Sequence, residues 1–394
     1  MASSTHISDK PRVLVLTGWY PSIREPNNGD FVKEQIRLLR REGLLVDLIY
    51  ADLNVAYLLD GQVRSRTSTS IDIAGCRDDM ISGPFWPKNQ RWGIRHWIRT
   101  YSDFVEQCLR KRKQEDKPHL IHAHTYLGGA VASRISKTFD IPYIITEHYT
   151  GWLDNSITDV HKRIGQEAFE KSTRIWAVSP ALCDSLQNET SNKVEVFSNF
   201  IDASFFIPNS DKRQKNFHYI GVGDLIARKN WKDLILAFAE VSKSYPSSRL
   251  SIAGDGPMRD QLLDIIRSKN IESKVSLVGH LNRKDLLSLY QSAHALLHTS
   301  HTETFGLSMI EAMSCGIPVI TYPHQTANYI LNSDYLGILT EDYSVPLLVN
   351  VMQDMQDNYS KYSANVIRKT VEERFGAANA ASKLRATYSA IMQG

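Results

Sequence analysis

The chain has 394 residues, of which 42% are hydrophobic and 23% charged, and its formal net charge is only +3. This length predicts two domains, and the near-balance of charge argues against bulk nucleic-acid binding while leaving room for a local basic patch. The segment "MASSTHISDKPRV" lacks the apolar core of a signal peptide, and no stretch reaches 18 uninterrupted apolar residues. The four cysteines are scattered without a CxxC pair, which indicates reduced thiols in a cytoplasmic protein and argues against a disulfide framework or a zinc site.

Short apolar segments alternate with helical patterns along the first half of the chain. A helix is predicted at "DFVKEQIRLLRREG", where Val32, Ile36 and Leu39 share one face and Gly43 ends the helix. The predicted strands of this half are "RVLVLTGWY", "LLVDLIYA", "HLIHAH", "YIITEH", "RIWAVS" and "KVEVFSNF".

The second half repeats the alternation, so the fold class predicted is α/β, with two Rossmann-like, doubly wound domains facing across a cleft. Its predicted strands are "HYIGVGDL", "RLSIAGDG", "KVSLVGHL", "HALLHTS", "PVITYP" and "LGILTE". The polar segment "IPNSDKRQKN" marks the best boundary, which gives an N-terminal domain of residues 1–206 and a C-terminal domain of residues 207–375. The last helix, within residues 376–394, is expected to pack back on the first domain.

Two carboxylates stand in an otherwise apolar stretch, "HTETFGLSMIEAMSCGIPVI". The pattern places Glu303 in a strand-to-helix turn and Glu311 within the first two turns of a helix that Gly316 ends. Gly306 allows a ligand to approach the backbone, and the free N–H groups of a helix start suit sugar hydroxyls or phosphate oxygens. The plainer alternative is that both glutamates only complement the helix dipole.

The longer segment "SHTETFGLSMIEAMSCGIPVI" resembles the E-x7-E signature of the retaining, family 4 glycosyltransferases, which have the two-domain GT-B fold. Similarity extends to "SIAGDGPMRDQL", "VSLVGHLNRKDLLSLYQSAHALL", "HLIHAHTYLGGAVASRISKTFDIPYIITEH" and "VFSNFIDASFF", and covers most of residues 11–320. The resemblance implies that Glu311 holds the ribose hydroxyls of a nucleotide-sugar and that Glu303 lies beside the transferred sugar. A carboxylate suits a vicinal diol because it accepts two charge-assisted hydrogen bonds. The implied donor site also includes Thr304, Phe305, Gly306 and Leu307.

A second similar segment is "YIGVGDLIARKNWKDLILAF", which is predicted as strand, loop and helix. The resemblance implies that Lys229 neutralises the donor diphosphate as it leaves. The family usually carries an arginine shortly after the glycine, where this chain has Asp224. Arg228 is the candidate replacement, because a guanidinium suits bidentate contact with phosphate. The alternative is a solvated loop end.

The segment "WYPSIREPNNGDFVKEQ" places Gly29 at the start of the first helix. The family has a glycine pair here that lets donor phosphate or acceptor approach a helix N-terminus, and Asn28 replaces one member of that pair. The alternative is an ordinary helix entry capped by Asn28 or Asp30. Tyr20, in the same segment, is assigned to the acceptor site.

Three histidines lie at or near predicted strand ends. His124 resembles the histidine that the family places against the sugar under transfer, and His148 is expected to line the acceptor site. The alternative for His148 is a core or capping histidine. His122 and His124 share a strand face, but no carboxylate or cysteine stands at a supporting spacing, so no metal site is predicted.

The basic, aromatic segment "PFWPKNQRWGIRHWIRTYSDFVEQCLRKRK", residues 84–113, has two readings. Three tryptophans alternate with cations there, as in a helix that lies on an anionic membrane surface. The alternative is a helix with a buried tryptophan face and solvated arginines. These residues are Trp86, Trp92 and Trp97 with Lys88, Arg91, Arg95 and Arg99.

The resemblance implies a hexosyltransferase-type enzyme that moves a sugar from a nucleoside-diphosphate sugar to an acceptor hydroxyl, in cell-surface polysaccharide or lipid-linked glycan synthesis. The nucleotide-sugar is a co-substrate, and we expect no cofactor, no metal and no nucleic-acid partner. The expected location is the cytoplasm, at the inner face of the membrane if residues 84–113 bind lipid. The alternatives are a sugar-nucleotide epimerase or phosphorylase of the same shape, or a weakly active nucleotide-sugar-binding partner.

Overall fold

The computed structural model describes residues 11–22, 28–54, 66–86, 88 and 91–393. The chain forms two compact units. The N-terminal unit comprises Met1–Val178, Leu182–Phe197 and Ala381–Gly394, and the C-terminal unit comprises Ser179–Ala181 and Ser198–Ala380. The main division therefore precedes the polar segment 207–216, and the chain returns to its first unit from Ala381 onward.

The N-terminal unit is built on one sheet. Its strands are β1 (Arg12–Thr17), β2 (Leu45–Asn54), β3 (Thr67–Ile73), β4 (Cys76–Pro84), β5 (Leu120–His124), β6 (Tyr143–Glu147), β7 (Arg174–Ala177) and β8 (Val194–Val196). Among the described residues the order is β3-β4-β2-β1-β5-β6-β7-β8, and only the β3–β4 pairing is antiparallel. Strands β3 and β4 are not among the predicted strands. Every residue of β3 is exposed, and its first four residues are Thr and Ser, so its sequence lacks the apolar run of a buried strand.

The helices of the first half are α1 (Asp30–Arg41), α2 (Arg91–Arg110), α3 (Thr125–Phe139), α4 (Asp159–Glu170) and α5 (Pro180–Gln187). The prediction for α1 is confirmed: Val32, Ile36 and Leu39 are buried, and Gly43 follows the helix with a left-handed φ of 81°. No helix among the described residues combines the length and apolarity that a membrane crossing requires.

The C-terminal unit contains the six strands predicted for the second half. They are β9 (His218–Val222), β10 (Arg249–Ala253), β11 (Val275–Gly279), β12 (Ala295–His298), β13 (Val319–Thr321) and β14 (Gly337–Leu339). Across residues 198–380, all of which are described, they form a parallel sheet in the order β11-β10-β9-β12-β13-β14. Its helices, with the final helix of the chain, are α6 (Trp231–Ser244), α7 (Arg259–Ser268), α8 (Arg283–Ser292), α9 (Leu307–Ser314), α10 (Ala327–Ile330), α11 (Val345–Asp357), α12 (Ala364–Phe375) and α13 (Ala377–Gln393).

The position of β9 in this sheet determines where a ligand can bind. β9 lies between β10 and β12, so the crossover connections diverge on its two sides. Ligands of open α/β sheets bind beyond the carboxyl ends of the strands at such a switch point. Lys229 follows β9 and Glu303 follows β12. Each unit combines a largely parallel sheet with α-helices, which is the Rossmann-like α/β organisation predicted from the sequence.

Candidate active site

Lys229 and Glu303 form an ion pair in the C-terminal unit, through Lys229 Nζ and Glu303 Oε1. Their side chains are only 15% and 9% exposed, so water screens the pair weakly. Two further hydrogen bonds join the loops that carry them: Thr299 Oγ1 donates to the Lys229 carbonyl over 3.0 Å, and the His301 N–H donates to the Arg228 carbonyl over 3.0 Å. Lys229, predicted to contact the donor diphosphate, and Glu303, predicted to lie beside the transferred sugar, are therefore brought together.

The Glu303 carboxylate has two other neighbours. Ser300 Oγ donates to Oε1 over 3.0 Å, and His298 Nε2 lies 3.6 Å from the same oxygen. Burial alone would raise the pKa of Glu303, but the Lys229 ammonium and the His298 ring outweigh burial and hold this pKa well below its usual range. Glu303 is therefore ionised, and it is not a carboxylate of a solvated helix start.

Glycines shape the loop that carries Lys229. A Cβ at Gly254 would overlap the carbonyl oxygen of Gly223, and a Cβ at Gly223 would lie 3.2 Å from Lys229 Cε. The two loops and the lysine stem pack this closely because side chains are absent there. Asp224, in place of the family's arginine, is exposed, and its carbonyl accepts a 2.8 Å hydrogen bond from Trp231 Nε1.

The turn after Glu303 leads directly into α9. Gly306 is the N-cap with a left-handed φ of 99°, and no side chain caps the helix. The first N–H groups of a helix have no acceptor within it, so the start of α9 offers donors to an anion or a hydroxyl. Phe305 is buried and packs edge-to-face on Phe375, which fixes the turn, and Thr304 and Leu307 are half-buried on either side.

Glu311 is half-buried on α9 and accepts a 2.7 Å hydrogen bond at Oε2 from the Tyr290 hydroxyl. Tyr290 is fully buried, and burial together with the Glu311 charge raises its pKa well above the usual value. The phenol therefore stays protonated and keeps donating to the carboxylate. Sequence reasoning missed Tyr290, whose pattern is that of a core residue of α8.

In the N-terminal unit, His124 and His148 meet at the carboxyl ends of β5 and β6. Nδ1 of His124 lies 3.0 Å from Nε2 of His148, and the rings stack with centroids 5.2 Å apart. Burial lowers the pKa of His124 to about 3, so its ring is neutral. His122 is bonded otherwise, to Thr146 over 2.7 Å and to Tyr388 over 2.6 Å. Among the described residues no three potential metal ligands converge.

Glu147 is a buried carboxylate that sequence reasoning missed. It accepts backbone N–H bonds of 2.7–2.8 Å from Tyr126, His148 and Tyr149. Burial nevertheless raises its pKa to about 7. These bonds tie the start of α3, where Thr125 has a strained φ of 64°, to the end of β6. The only sequence signal was a carboxylate at a strand end, in "TEH".

Gly29 is the N-cap of α1, with φ 73° and no side-chain cap, so neither Asn28 nor Asp30 is the cap. A Cβ there would overlap the Trp19 carbonyl. Beside it, Tyr20 packs on Tyr50 with ring centroids 4.7 Å apart, at the edge of a cavity of about 290 Å³. The cavity is lined by Gly18, Trp19, Tyr20, Ser22, Asn28, Tyr50, Ala51, Asp52, Leu53, Asn54, Trp86 and Lys88.

The segment 84–113 contains a helix with one buried tryptophan, and two further tryptophans of the segment are exposed. Pro84 is the last residue of β4, and the helix of this segment begins at Arg91. Trp97, on this helix, is fully buried in the core. Trp86 and Trp92 are each 53% exposed and meet edge-to-face with centroids 5.8 Å apart. Arg95 and Arg99 are exposed on the same helix as Trp92. Residues 87, 89 and 90 and the Arg91 side chain lie outside the described part of the chain.

Two family models match consecutive parts of the chain. Residues 30–205 match the model described as "Glycosyltransferase Family 4", and residues 202–372 match "Glycosyl transferases group 1". A glycogen synthase of Mycobacterium tuberculosis is 28% identical over 216 residues, which span 52% of each chain. An alpha-monoglucosyldiacylglycerol synthase of Acholeplasma laidlawii is 26% identical over 61% of this chain and 67% of its own. The chain thus aligns with about half the length of the first relative.

Solved structures with the same fold extend over nearly the whole chain. A sucrose-phosphate synthase of Thermosynechococcus elongatus superposes with a TM-score of 0.81, at 17% identity, over 97% of this chain and 99% of its own. HepE of Anabaena, determined in complex with UDP and glucose, superposes with a TM-score of 0.72, at 18% identity, over 96% and 99%. At these identities the likeness shows the fold alone.

Proposed function

The chain is a family 4 glycosyltransferase with GT-B architecture, and on this premise we propose that it transfers a sugar, with retention of configuration, from a nucleoside-diphosphate sugar to an acceptor hydroxyl. The C-terminal unit binds the donor and the N-terminal unit binds the acceptor. The observation that carries the proposal is the buried Lys229–Glu303 pair at the switch point of the C-terminal sheet.

Each side chain there has a task in this reaction. Lys229 and the N–H groups at the start of α9 stabilise the negative charge that grows on the departing diphosphate. Glu303 lies by the transferred sugar, where positive charge develops. Glu311 accepts hydrogen bonds from the ribose, with Tyr290 fixing one of its oxygens. Catalysis is then electrostatic and uses no metal, because side-chain and backbone groups supply the positive potential.

The acceptor belongs to polysaccharide or lipid-linked glycan synthesis. The names of the relatives support this, since one makes glycogen and another a glucosylated diacylglycerol. His148 and Tyr20 contact the acceptor in this proposal, and His124 contacts the sugar under transfer. The HepE complex with UDP and glucose supports a uridine nucleotide as the first donor to test.

The proposal predicts that one sugar nucleotide from a panel of UDP-, ADP- and GDP-sugars raises the melting temperature and is slowly hydrolysed without an acceptor, in EDTA as in its absence. A ligand that binds only the folded state stabilises it by about 2.7 kcal/mol at 100 times its Kd. Thermal shift and release of nucleoside diphosphate are the measurements. If a sugar nucleotide binds but is not turned over with any acceptor tried, the chain is better explained as a nucleotide-sugar-binding partner. Activity that is lost in EDTA and restored by Mg²⁺ would contradict metal independence.

Glu311→Gln is expected to raise the donor KM with little change in kcat, because the ribose does not change during the reaction. Losing charge-assisted hydrogen bonds costs about 1.5–3 kcal/mol, or roughly ten- to a hundred-fold in KM. Steady-state kinetics with a varied donor is the measurement. Tyr290→Phe, which removes only the hydroxyl that holds Oε2, should raise KM less. If Glu311→Gln lowered kcat alone, the donor would lie in the opposite orientation, with its transferred sugar rather than its ribose beside Glu311.

We also propose that the exposed face of Trp86, Trp92, Arg95 and Arg99 binds anionic membranes. Sedimentation should show binding to vesicles with anionic lipid, weaker binding to neutral ones, and release by salt. Removing either arginine should weaken binding about fivefold, at about 1 kcal/mol per cation. Arg37→Ala removes an exposed arginine from α1 and is the control. Equal binding to neutral and anionic vesicles would contradict this proposal and favour the alternative of a helix with a buried tryptophan face and solvated arginines.

A further inference from the structure

The cluster around Glu303 contains two histidines that the proposed chemistry does not use. His298, at the end of β12, is 4% exposed, and His324, beyond β13, is 3% exposed. In the described part of the chain, Nε2 of each ring has no hydrogen-bond partner. Buried polar atoms are nearly always hydrogen-bonded, so two orphaned atoms beside one carboxylate require a physical reason.

Lys229 is the fixed cation that balances Glu303 within this cluster. His298 Nε2 is 3.6 Å from Glu303 Oε1, which is longer than a hydrogen bond. Burial lowers the pKa of His298, and the Lys229 ammonium lowers it further, while Glu303 opposes both. The ring is therefore neutral as long as Lys229 stays on Glu303.

A bound diphosphate changes this balance. It carries more negative charge than one carboxylate, so it draws the Lys229 ammonium away from Glu303. Of the contacts of Glu303 described above, the 3.0 Å hydrogen bond from the Ser300 hydroxyl then remains. A buried carboxylate without a counter-charge is strongly disfavoured, so a positive charge must replace Lys229 or Glu303 must be protonated.

We propose that His298 takes up a proton from solvent when the nucleoside diphosphate binds, and that the resulting imidazolium holds Glu303 ionised and in place. This inference rests on the proposed donor site. His298 is a positioning residue, because it acts on the sugar only through Glu303.

The surroundings of His298 fit a doubly protonated ring. Nε2 faces Glu303 Oε1, and Nδ1 lies 3.4 Å from Thr321 Oγ1. The Thr321 hydroxyl donates its own hydrogen to the Tyr322 carbonyl over 3.1 Å, so its oxygen is open to accept from Nδ1. Each N–H of the imidazolium therefore faces an oxygen that can accept a hydrogen bond, and Nε2 need only approach Glu303 more closely to form one.

The other titratable groups that act on His298 do not take this proton. They are Lys229, which is already charged, Glu303, and His324, whose ring centroid lies 5.0 Å away. Burial and the neighbouring His298 lower the pKa of His324 to about 3, and its Nδ1 lies 3.1 Å from Thr326 Oγ1. His324 therefore stays neutral.

The test is titration calorimetry of the full chain with UDP, and with ADP and GDP alongside, near neutral pH in buffers of different ionisation enthalpy. The dependence of the observed heat on the buffer gives the number of protons taken up. We expect an uptake approaching about one proton per nucleotide bound.

Two variants and a control sharpen the result. His298→Asn should bind UDP without proton uptake, and Lys229→Gln should bind it more weakly, also without uptake, since no ammonium leaves Glu303. His294→Asn removes a histidine that lies just before the start of β12 and should keep the wild-type uptake.

The outcomes separate the two proposals. Nucleotide binding without proton uptake by the wild-type chain would overturn this inference and leave the donor site intact. The same holds if His298→Asn keeps the uptake, because the proton then goes elsewhere. Failure of all three nucleotides to bind would overturn the donor site and this inference with it.

Discussion

Lys229→Ala is expected to lower kcat about 10²–10³-fold, with a smaller change in donor affinity, because in the proposed reaction Lys229 stabilises charge that grows on the leaving diphosphate in the transition state. The variant should also be less stable, by less than the about 3–5 kcal/mol that breaking a fully buried pair costs, because it leaves the Glu303 carboxylate without its cation. Single-turnover kinetics and the melting temperature are the two measurements.

Lys232→Ala is the matched control, since Lys232 is an exposed lysine on the helix that follows. It should change neither quantity. If Lys229→Ala kept its kcat while Arg228→Ala lost it, the phosphate-binding cation would be Arg228, the preceding residue. Loss of stability with normal kinetics would reduce the Lys229–Glu303 pair to a structural ion pair.

Glu303→Gln is expected to lower both kcat and kcat/KM, by about 10²-fold, because in the proposed reaction it removes a negative charge from beside a sugar that becomes positive in the transition state. This pattern differs from the KM effect predicted for Glu311→Gln, so the two carboxylates can be told apart in the same assay. Glu272→Gln, at an exposed position of the same unit, is the control.

The stability of Glu303→Gln gives an independent check through pH. The pKa of Glu303 is lower in the folded chain than in the unfolded chain. Its charge therefore stabilises the fold in full above the unfolded pKa, and this contribution is lost as pH falls through the folded pKa. The melting temperatures of wild type and variant should converge in acid. A constant difference across the acid range would mean that the Glu303 charge does not contribute to stability.

The alternation of strands and helices was readable in the sequence because buried parallel strands are short apolar runs. The inner strands β9, β12 and β13 of the C-terminal unit follow this rule, and so does β1, which is buried along its length. The hairpin of β3 and β4 does not, since β3 has no buried face. Local sequence patterns reflect which residues are buried, so an exposed edge strand such as β3 cannot be recognised from an apolar pattern.

The candidate site was readable only in part. Gly306 and the two glutamates are marked by their spacing around a helix start. The pairing of Lys229 with Glu303 joins residues 74 positions apart, and no local pattern specifies which side chains meet across a sheet edge. The same reason hid Tyr290 and the histidines around Glu303, whose spacing in sequence is that of core residues.

The burial of Tyr388 has a consequence for how the chain acquires its structure during synthesis. Its hydroxyl reaches His122 on β5, and its ring is fully buried in the N-terminal unit. Domains commonly fold in the order in which the ribosome releases them. Here the first unit lacks a piece of its interior until residues 381–393 emerge, whereas residues 198–380 are released as one uninterrupted stretch. The second unit can thus be complete before the first, in which His122 and its neighbours stay uncovered until Tyr388 has been synthesised.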